Sequence, residues 1–220
     1  WETGFEFKKP KYAINANVYY MDYKDQLVLT GKINDVGAYT RINVPKSYRA
    51  GIELQLKYAL NKKYNTSYSI TFSQNKIEEF TEYIDDYDQF TQVAIQHKNT
   101  NIALSPTLTT NRTFNWRPND KLSFFWTTKY TSKQFLDNTQ NKDRILDSYF
   151  INDINAHWTI LNKTKFTMLL QLYANNLLDV QYAPNGYTYS YIYDRNLITS
   201  NNFYPMAGRN YWISLKIDLK

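Results

Sequence analysis

The 220 residues include no cysteine, two histidines, six glycines and six prolines. Without a thiol there is no thiol catalysis, no iron–sulfur cluster and no thiolate zinc site, and His97 and His157 alone do not make a histidine-rich metal centre. Too little glycine and proline are present for a collagenous or low-complexity chain, and no cysteine is available for a disulfide scaffold. The longest apolar run is Val18-Tyr19-Tyr20-Met21, far short of the ~20 apolar residues that a membrane-spanning helix needs. Nucleophile-elbow, P-loop, H-E-x-x-H and dinucleotide-binding motifs are all missing, so neither an enzyme nor a cofactor is expected. The formal charge is +6. Its lysines and arginines are dispersed, and the densest charged run, residues 78–88, is acidic, so no nucleic-acid partner is expected.

In place of these features the chain carries 21 tyrosines, 12 phenylalanines and five tryptophans. They fall in segments of strict apolar/polar alternation, the period of strands with one apolar face. The clearest is the last, where Tyr211, Ile213, Leu215, Ile217 and Leu219 alternate with Trp212, Ser214, Lys216 and Asp218. The same period runs through residues 12–20, 48–58, 64–72, 108–116, 122–130 and 166–174, and less regularly through 1–7 and 149–160. Arg112 interrupts the apolar face of its strand. The parity change after Tyr149 and Ile151 predicts a bulge near Asn152 and Asp153.

This makes nine strands. Short connections at 9–11, 61–63, 118–120 and 162–164 alternate with long ones at 23–46, 73–102, 131–148 and 176–209. A soluble sandwich has no reason to put every long loop at one end, whereas a transmembrane barrel has short turns on one side of the membrane and long loops on the other. The predicted architecture is therefore all-β, the antiparallel wall of a transmembrane β-barrel with lipid against its apolar face. The alternatives are a passive small barrel or adhesin, and a soluble secreted carbohydrate-binding β-domain. Bacterial barrels have even strand numbers, and nine is odd. With no initiator methionine or signal segment at Trp1, the chain is expected to begin inside a longer protein.

A string of local motifs, spread over nearly all 220 residues, supports this. They are Tyr20-Met21-Asp22-Tyr23-Lys24-Asp25-Gln26-Leu27-Val28, Ser47-Tyr48-Arg49-Ala50-Gly51-Ile52-Glu53, Ser105-Pro106, Asn176-Leu177-Leu178-Asp179 followed by Tyr182, and Tyr204-Pro205 to Gly208-Arg209-Asn210-Tyr211. In this order they resemble the C-terminal barrel half of TonB-dependent outer-membrane receptors, in the form common among Bacteroidetes iron-complex receptors. The resemblance implies a 22-stranded barrel around an N-terminal plug, with residues 1–220 as its last nine strands. It further implies the bacterial outer membrane as location and uptake of a scarce extracellular ligand, such as a ferric siderophore. TonB and the proton gradient would supply energy through the N-terminal part. The family usually ends in an aromatic residue where this chain ends in Lys220, and one aromatic at the next position would restore the pattern.

Candidate binding residues lie in the long loops. Tyr187, Tyr189, Tyr191 and Tyr193 alternate and lead to Arg195, a platform for stacking a sugar or an aromatic siderophore. Arg41, Lys98 and Arg144 are cations for an anionic ferric chelate. Glu78, Glu79, Glu82, Asp85, Asp86 and Asp88 match no calcium-loop spacing and read as a solvated acidic loop. His97 reads as a bystander, and His157 as a polar residue of the lumen face. Asn15, Asn17, Arg49, Glu53, Gln55 and Lys57 share that lumen parity and are expected to face the plug.

Overall fold

Period-two alternation with turn residues between segments builds hairpins, and a chain of hairpins builds a meander. The computed structural model describes residues 1–219, and every regular element among them is a strand. In chain order these are β1 (Glu2–Lys9), β2 (Tyr12–Ile33), β3 (Tyr39–Ala59), β4 (Tyr64–Asp86), β5 (Thr91–Asn101), β6 (Leu108–Asn119) and β7 (Leu122–Thr131). There follow β8 (Gln134–Phe135), β9 (Ile145–Leu146), β10 (Tyr149–Asn162), β11 (Phe166–Asn175), β12 (Asn185–Tyr193), β13 (Asn196–Tyr204) and β14 (Asn210–Leu219). Nine of them pair antiparallel in the order β1-β2-β3-β4-β6-β7-β10-β11-β14, which is the expected wall. The short turns close it at one end. Asn61 Oδ1 accepts the Lys63 and Tyr64 amides at 2.8 and 3.1 Å, and Asn119 Oδ1 accepts that of Lys121 at 3.0 Å.

Register sorts the side chains by face. One row of partners runs Val18, Ile52, Phe72, Leu108, and a neighbouring row Asn17, Glu53, Thr71, Thr109, so apolar and polar rows alternate across the sheet. The apolar face is bare: Ile52, Phe72, Ile213 and Leu215 are 51–72% exposed. Asn15, Asn17, Arg49, Glu53, Gln55 and Lys57 all lie on the polar face, as their parity requires.

Two expectations are corrected. β10 pairs with β7 in unbroken register from Tyr149 to Trp158, so no bulge lies at Asn152 and Asp153. The irregularity falls between Thr159 and Leu161 instead. Tyr149 and Ile151 are apolar because their end of the polar face is covered and they are buried, 7% and 6% exposed. Asn152 therefore sits on the apolar face, where Trp126 Nε1 donates to its Oδ1 at 3.0 Å. The long connections, second, are largely paired. β2 and β3 continue through 23–46 to the pair Ile33 and Tyr39, β4 and β5 form a second tall hairpin, and β12 and β13 a third.

Where the tall hairpins leave the wall, the alternation reverses. Each strand there carries two successive exposed residues: Lys24 and Asp25, Pro45 and Lys46, Glu78 and Glu79, Lys98 and Asn99. These doublets are neighbours in the register and form a seam across β2, β3, β4 and β5. Asp25 and Asn99 have φ of 53° and 57°, the left-handed conformation that re-aims a strand. On the wall side of the seam the residues turned inward include Asn75 and Ile77; beyond it they are Phe80, Glu82, Ile84 and Asp86. Val28, Val44, Ile77, Phe80 and Ile102 cluster at the seam as an apolar core, with Ile42 packed on it.

The connection between β7 and β10 folds into this region. Leu136 and Asn138 are fully buried. The Asn138 side chain donates to the Leu29 carbonyl at 2.6 Å and accepts the Ala103 amide at 2.8 Å, tying the β2–β3 hairpin to the connection between β5 and β6. Gly31, at φ +87°, admits the segment: a Cβ there would lie 2.5 Å from the Leu136 carbonyl oxygen.

Candidate ligand-binding surface

The four alternating tyrosines lie on β12, and their period has the expected effect. Thr188 and Ser190 are buried, 2% and 4% exposed, while Tyr189 and Tyr193 stand 44% and 59% exposed on the opposite face. Tyr189 and Tyr191 stack at 6.4 Å, and Tyr187 packs on Tyr204 at 5.9 Å. The ladder is held at both ends. Tyr39 donates to Asn185 Oδ1 at 2.8 Å and is also within 2.9 Å of the Gly186 carbonyl oxygen. Burial pushes the Tyr39 phenol above its ordinary pKa, with Tyr204 adding to the shift and the Asn185 contact opposing it.

At the other end β12 adds two parallel pairs to β4, Tyr191 with Asp85 and Ile192 with Asp86, and the Tyr87 amide donates to the Ile192 carbonyl at 3.0 Å. The β12–β13 turn is Asp194-Arg195, with φ of 49° and 60°, left-handed values that glycine or asparagine would adopt more cheaply. Asp88 offsets that cost. Its two carboxylate oxygens accept the Asp194 amide at 2.9 Å and the Arg195 amide at 2.7 Å. This docking brings Tyr87 against Tyr191 at 5.6 Å, so rings from two hairpins form one surface; Tyr83 and Tyr87 of the β4 hairpin are 50% and 54% exposed.

The cations separate. Arg41 is exposed on β3, and Lys98 is exposed on β5, 3.5 Å from Glu79. Arg144 lies inside: its side chain is 3% exposed, and Nη1 contacts Glu82 Oε1 at 2.5 Å and Asp137 Oδ2 at 2.7 Å. Burial opposes its charge, but the hydrogen bonds it donates to Asp137 and Glu82 and the negative charges of those carboxylates prevail and hold its pKa above the ordinary arginine value. It bridges the β4 hairpin and the β7–β10 connection, with its charge turned to them rather than to solvent.

The acidic run is likewise structural, not a solvated loop. Glu82 and Asp86 are buried, Glu78 pairs with Lys46 at 2.8 Å, and Asp85 accepts from Gln92 at 2.7 Å. His97 stands 3.1 Å from the second Glu82 oxygen, so it is part of the Arg144 network rather than a bystander. His157 lies on the polar face beside Phe125 and Tyr173, with Gln171 at 3.3 Å.

Two concavities flank these groups. One of about 130 Å³ opens beside Tyr189, with Lys32, Tyr83, Glu82, Thr188 and Arg144 in its walls. It is smaller than the ~300 Å³ or more that small-molecule pockets usually offer. The other, about 440 Å³, lies on the polar face of the wall and includes Asn17, Tyr19, Arg49, Glu53, Asn75 and Ser105. Arg49 donates there to Asn75 at 3.0 Å and Ser105 at 3.4 Å. Sequence reasoning missed Lys32, Asp137 and Asn138, and read Asp88 only as part of a solvated acidic loop. Only the polar doublets of the seam left a trace, as breaks in the period.

The family model described as TonB dependent receptor-like, beta-barrel matches residues 1–177. Among solved structures, the siderophore receptor PiuA from Acinetobacter baumannii is similar over 98% of this chain and 27% of its own, at 18% identity and TM-score 0.67. The ferric yersiniabactin uptake receptor FyuA from Yersinia pestis is similar over 100% and 29%, at 15% identity and TM-score 0.67. The copper transporter OprC is similar over 100% and 30%, at 15% identity and TM-score 0.64. All three are receptors or transporters. This chain spans about three tenths of their length, and at such identities the likeness is one of fold. No curated protein matches the chain.

Proposed function

Since the chain belongs to the TonB-dependent receptor-like β-barrel family, we propose that it forms the last nine strands of a 22-stranded, plugged receptor in a bacterial outer membrane. The whole receptor, of the Bacteroidetes iron-complex type, takes up a ferric siderophore or similar complex with energy delivered by TonB. The tall hairpins face the exterior, and the apolar face meets lipid. The polar face lines the lumen, where Asn15, Asn17, Arg49, Glu53, Gln55 and Lys57 contact the plug. The ligand rests on Tyr187, Tyr189, Tyr191 and Tyr193 beside Arg195, with Arg41 and Lys98 as outlying cations; Arg144 serves the site by holding the loops.

The observation that carries the reading is the nine-stranded sheet, polar on one face and bare and apolar on the other, whose long connections all rise from one end into a tyrosine surface. Its likeness in fold to siderophore receptors over 98–100% of the chain supports the barrel that this reading requires. The test is uptake of iron-55-labelled siderophores by cells carrying or lacking the whole gene, with and without a protonophore. Uptake should require both the gene and the proton gradient. Gene-dependent uptake that survives the protonophore would instead make this a passive barrel.

A further inference from the structure

Arg112 is the one cation within the apolar face of β6, and the fold does not account for it. Register places it in a polar row that crosses four strands: Tyr68 on β4, Arg112 on β6, Thr128 on β7 and Asn152 on β10. The row on the long-loop side is Ile70, Thr110, Tyr130 and Phe150; the row on the turn side is Thr66, Phe114, Trp126 and Ile154. Arg112 is exposed. Its guanidinium makes no hydrogen bond or ion pair with any described residue. An unpaired cation against hydrocarbon is costly unless an anion meets it there.

Its height suggests which anion. Two outward positions, Thr110 and Leu108, separate Arg112 from the long-loop end of β6, whereas Phe114, Trp116 and then the turn residues lie towards the other end. It sits below the aromatic rim formed by Tyr130 and Phe150, within reach of that rim for a long side chain. From Arg112 a shallow, mainly apolar groove of about 230 Å³ runs towards the turns, lined by Tyr58, Leu60, Tyr64, Thr66 and Phe114. One wall is stiff, because Tyr64 stacks on Phe114 at 6.2 Å and on Trp116 at 6.3 Å. Charge and hydroxyls at the upper end with an apolar channel beneath match the order of headgroup and tail in a lipid of the outward leaflet.

We propose that this is a specific lipid site, in which Arg112 binds the phosphate of a phosphorylated lipid from the outward leaflet. Tyr68, Thr110 and Thr128 surround the headgroup, and one acyl chain fills the groove towards Tyr64. The site is separate from the ligand surface, and it rests on the placement of the apolar face in the membrane.

The test uses the whole receptor in mild detergent, titrated with monophosphoryl lipid A or its dephosphorylated counterpart and read by native mass spectrometry. The wild-type receptor should favour the phosphorylated lipid, and Arg112→Leu should bind it about tenfold more weakly, the loss of one charge-assisted contact. Arg112→Lys should recover part of the difference. Equal binding of the two lipids by the wild type overturns the proposal whether or not the leucine variant folds. Equal affinity in the wild type and a folded Arg112→Leu also overturns it, as does a co-purifying membrane protein lost with Arg112 in place of lipid. If the receptor stays in solution without detergent, the barrel reading itself fails, which distinguishes the two failures.

Discussion

Replacing Arg144 with methionine removes the cation between Glu82 and Asp137 while keeping an unbranched side chain in the space. The two carboxylates left behind are 10% and 7% exposed, so solvent can do little for them. Deleting one partner of a buried ion pair costs about 3–5 kcal/mol. His97, 3.1 Å from Glu82, leaves that carboxylate one hydrogen-bonding neighbour, which puts the expected cost near the lower figure. About 3 kcal/mol is roughly a hundredfold shift towards the open form of the β7–β10 connection. Amide hydrogen exchange on the intact receptor reads this directly. The Leu136 amide, bonded to the Arg144 carbonyl at 2.9 Å, and the Ala103 amide, bonded to Asn138, should exchange about a hundredfold faster. Amides shared by β6 and β7 in the wall should not change. Adding Glu82→Gln and Asp137→Asn neutralises the stranded charges and should restore most of the protection. Unchanged exchange at Leu136 in Arg144→Met, or a triple variant as labile as the single one, would refute the reasoning. The pH sign is also fixed. A guanidinium pKa raised in the folded state contributes stability below the arginine range and loses it as pH rises through that range, so the guanidinium itself adds no pH dependence near neutrality.

Three further outcomes are expected. Asp88→Ala takes the carboxylate from the Asp194 and Arg195 amides and should destabilise the β12–β13 tip by about 1–3 kcal/mol, seen as faster proteolysis at that turn in the folded receptor; an unchanged cleavage rate would count against the docking. Gly51→Ala puts a Cβ 2.5 Å from the Tyr19 hydroxyl and 2.6 Å from the Phe72 carbonyl oxygen, overpacking the wall by about 1–3 kcal/mol. The urea midpoint of heat-modifiable migration should fall, and a variant matching wild type would show that the Tyr19 ring moves freely. Tyr189→Ala should weaken ferric-siderophore binding about fivefold, the worth of one stacked ring, with little effect on barrel stability; unaltered titrations would remove the tyrosine ladder from the site.

The wall was legible because hydrocarbon and lumen impose a strict period of two. Tyr211 to Leu219 shows that period without interruption, and the nine strands and four short turns followed from it. The hairpins beyond the wall were not, and the seam explains why. A segment whose apolar residues change parity between Ile77 and Phe80 looks aperiodic, although both parts are strand and both residues are buried. Similarly, Tyr149 and Ile151 suggested a bulge, because burial of the polar face at that one end cannot be seen from β10 alone. The tyrosine ladder was found because alternation is local. Burial of Arg144 was not, since one partner, Glu82, is 62 residues away and only the folded chain brings them together. Arg112 stood out from the start as the wrong residue for its face, and register then gave it neighbours.

The seam also bears on how such a chain can change over generations. On one side of it a substitution is judged by lipid and lumen; on the other, by fit against Val28, Phe80 and Leu136. Because the reversal is made by backbone at Asp25 and Asn99 rather than by any bulky side chain, the two halves of a hairpin carry separate rules without a joint that must be rebuilt. Recombination just beyond Lys24 and Lys46 would exchange the outer half of the β2–β3 hairpin and leave each wall strand with its own alternation. With the tall hairpins facing the exterior, as proposed, what the cell displays can then diverge quickly, while the part that must survive insertion into a membrane is inherited unchanged.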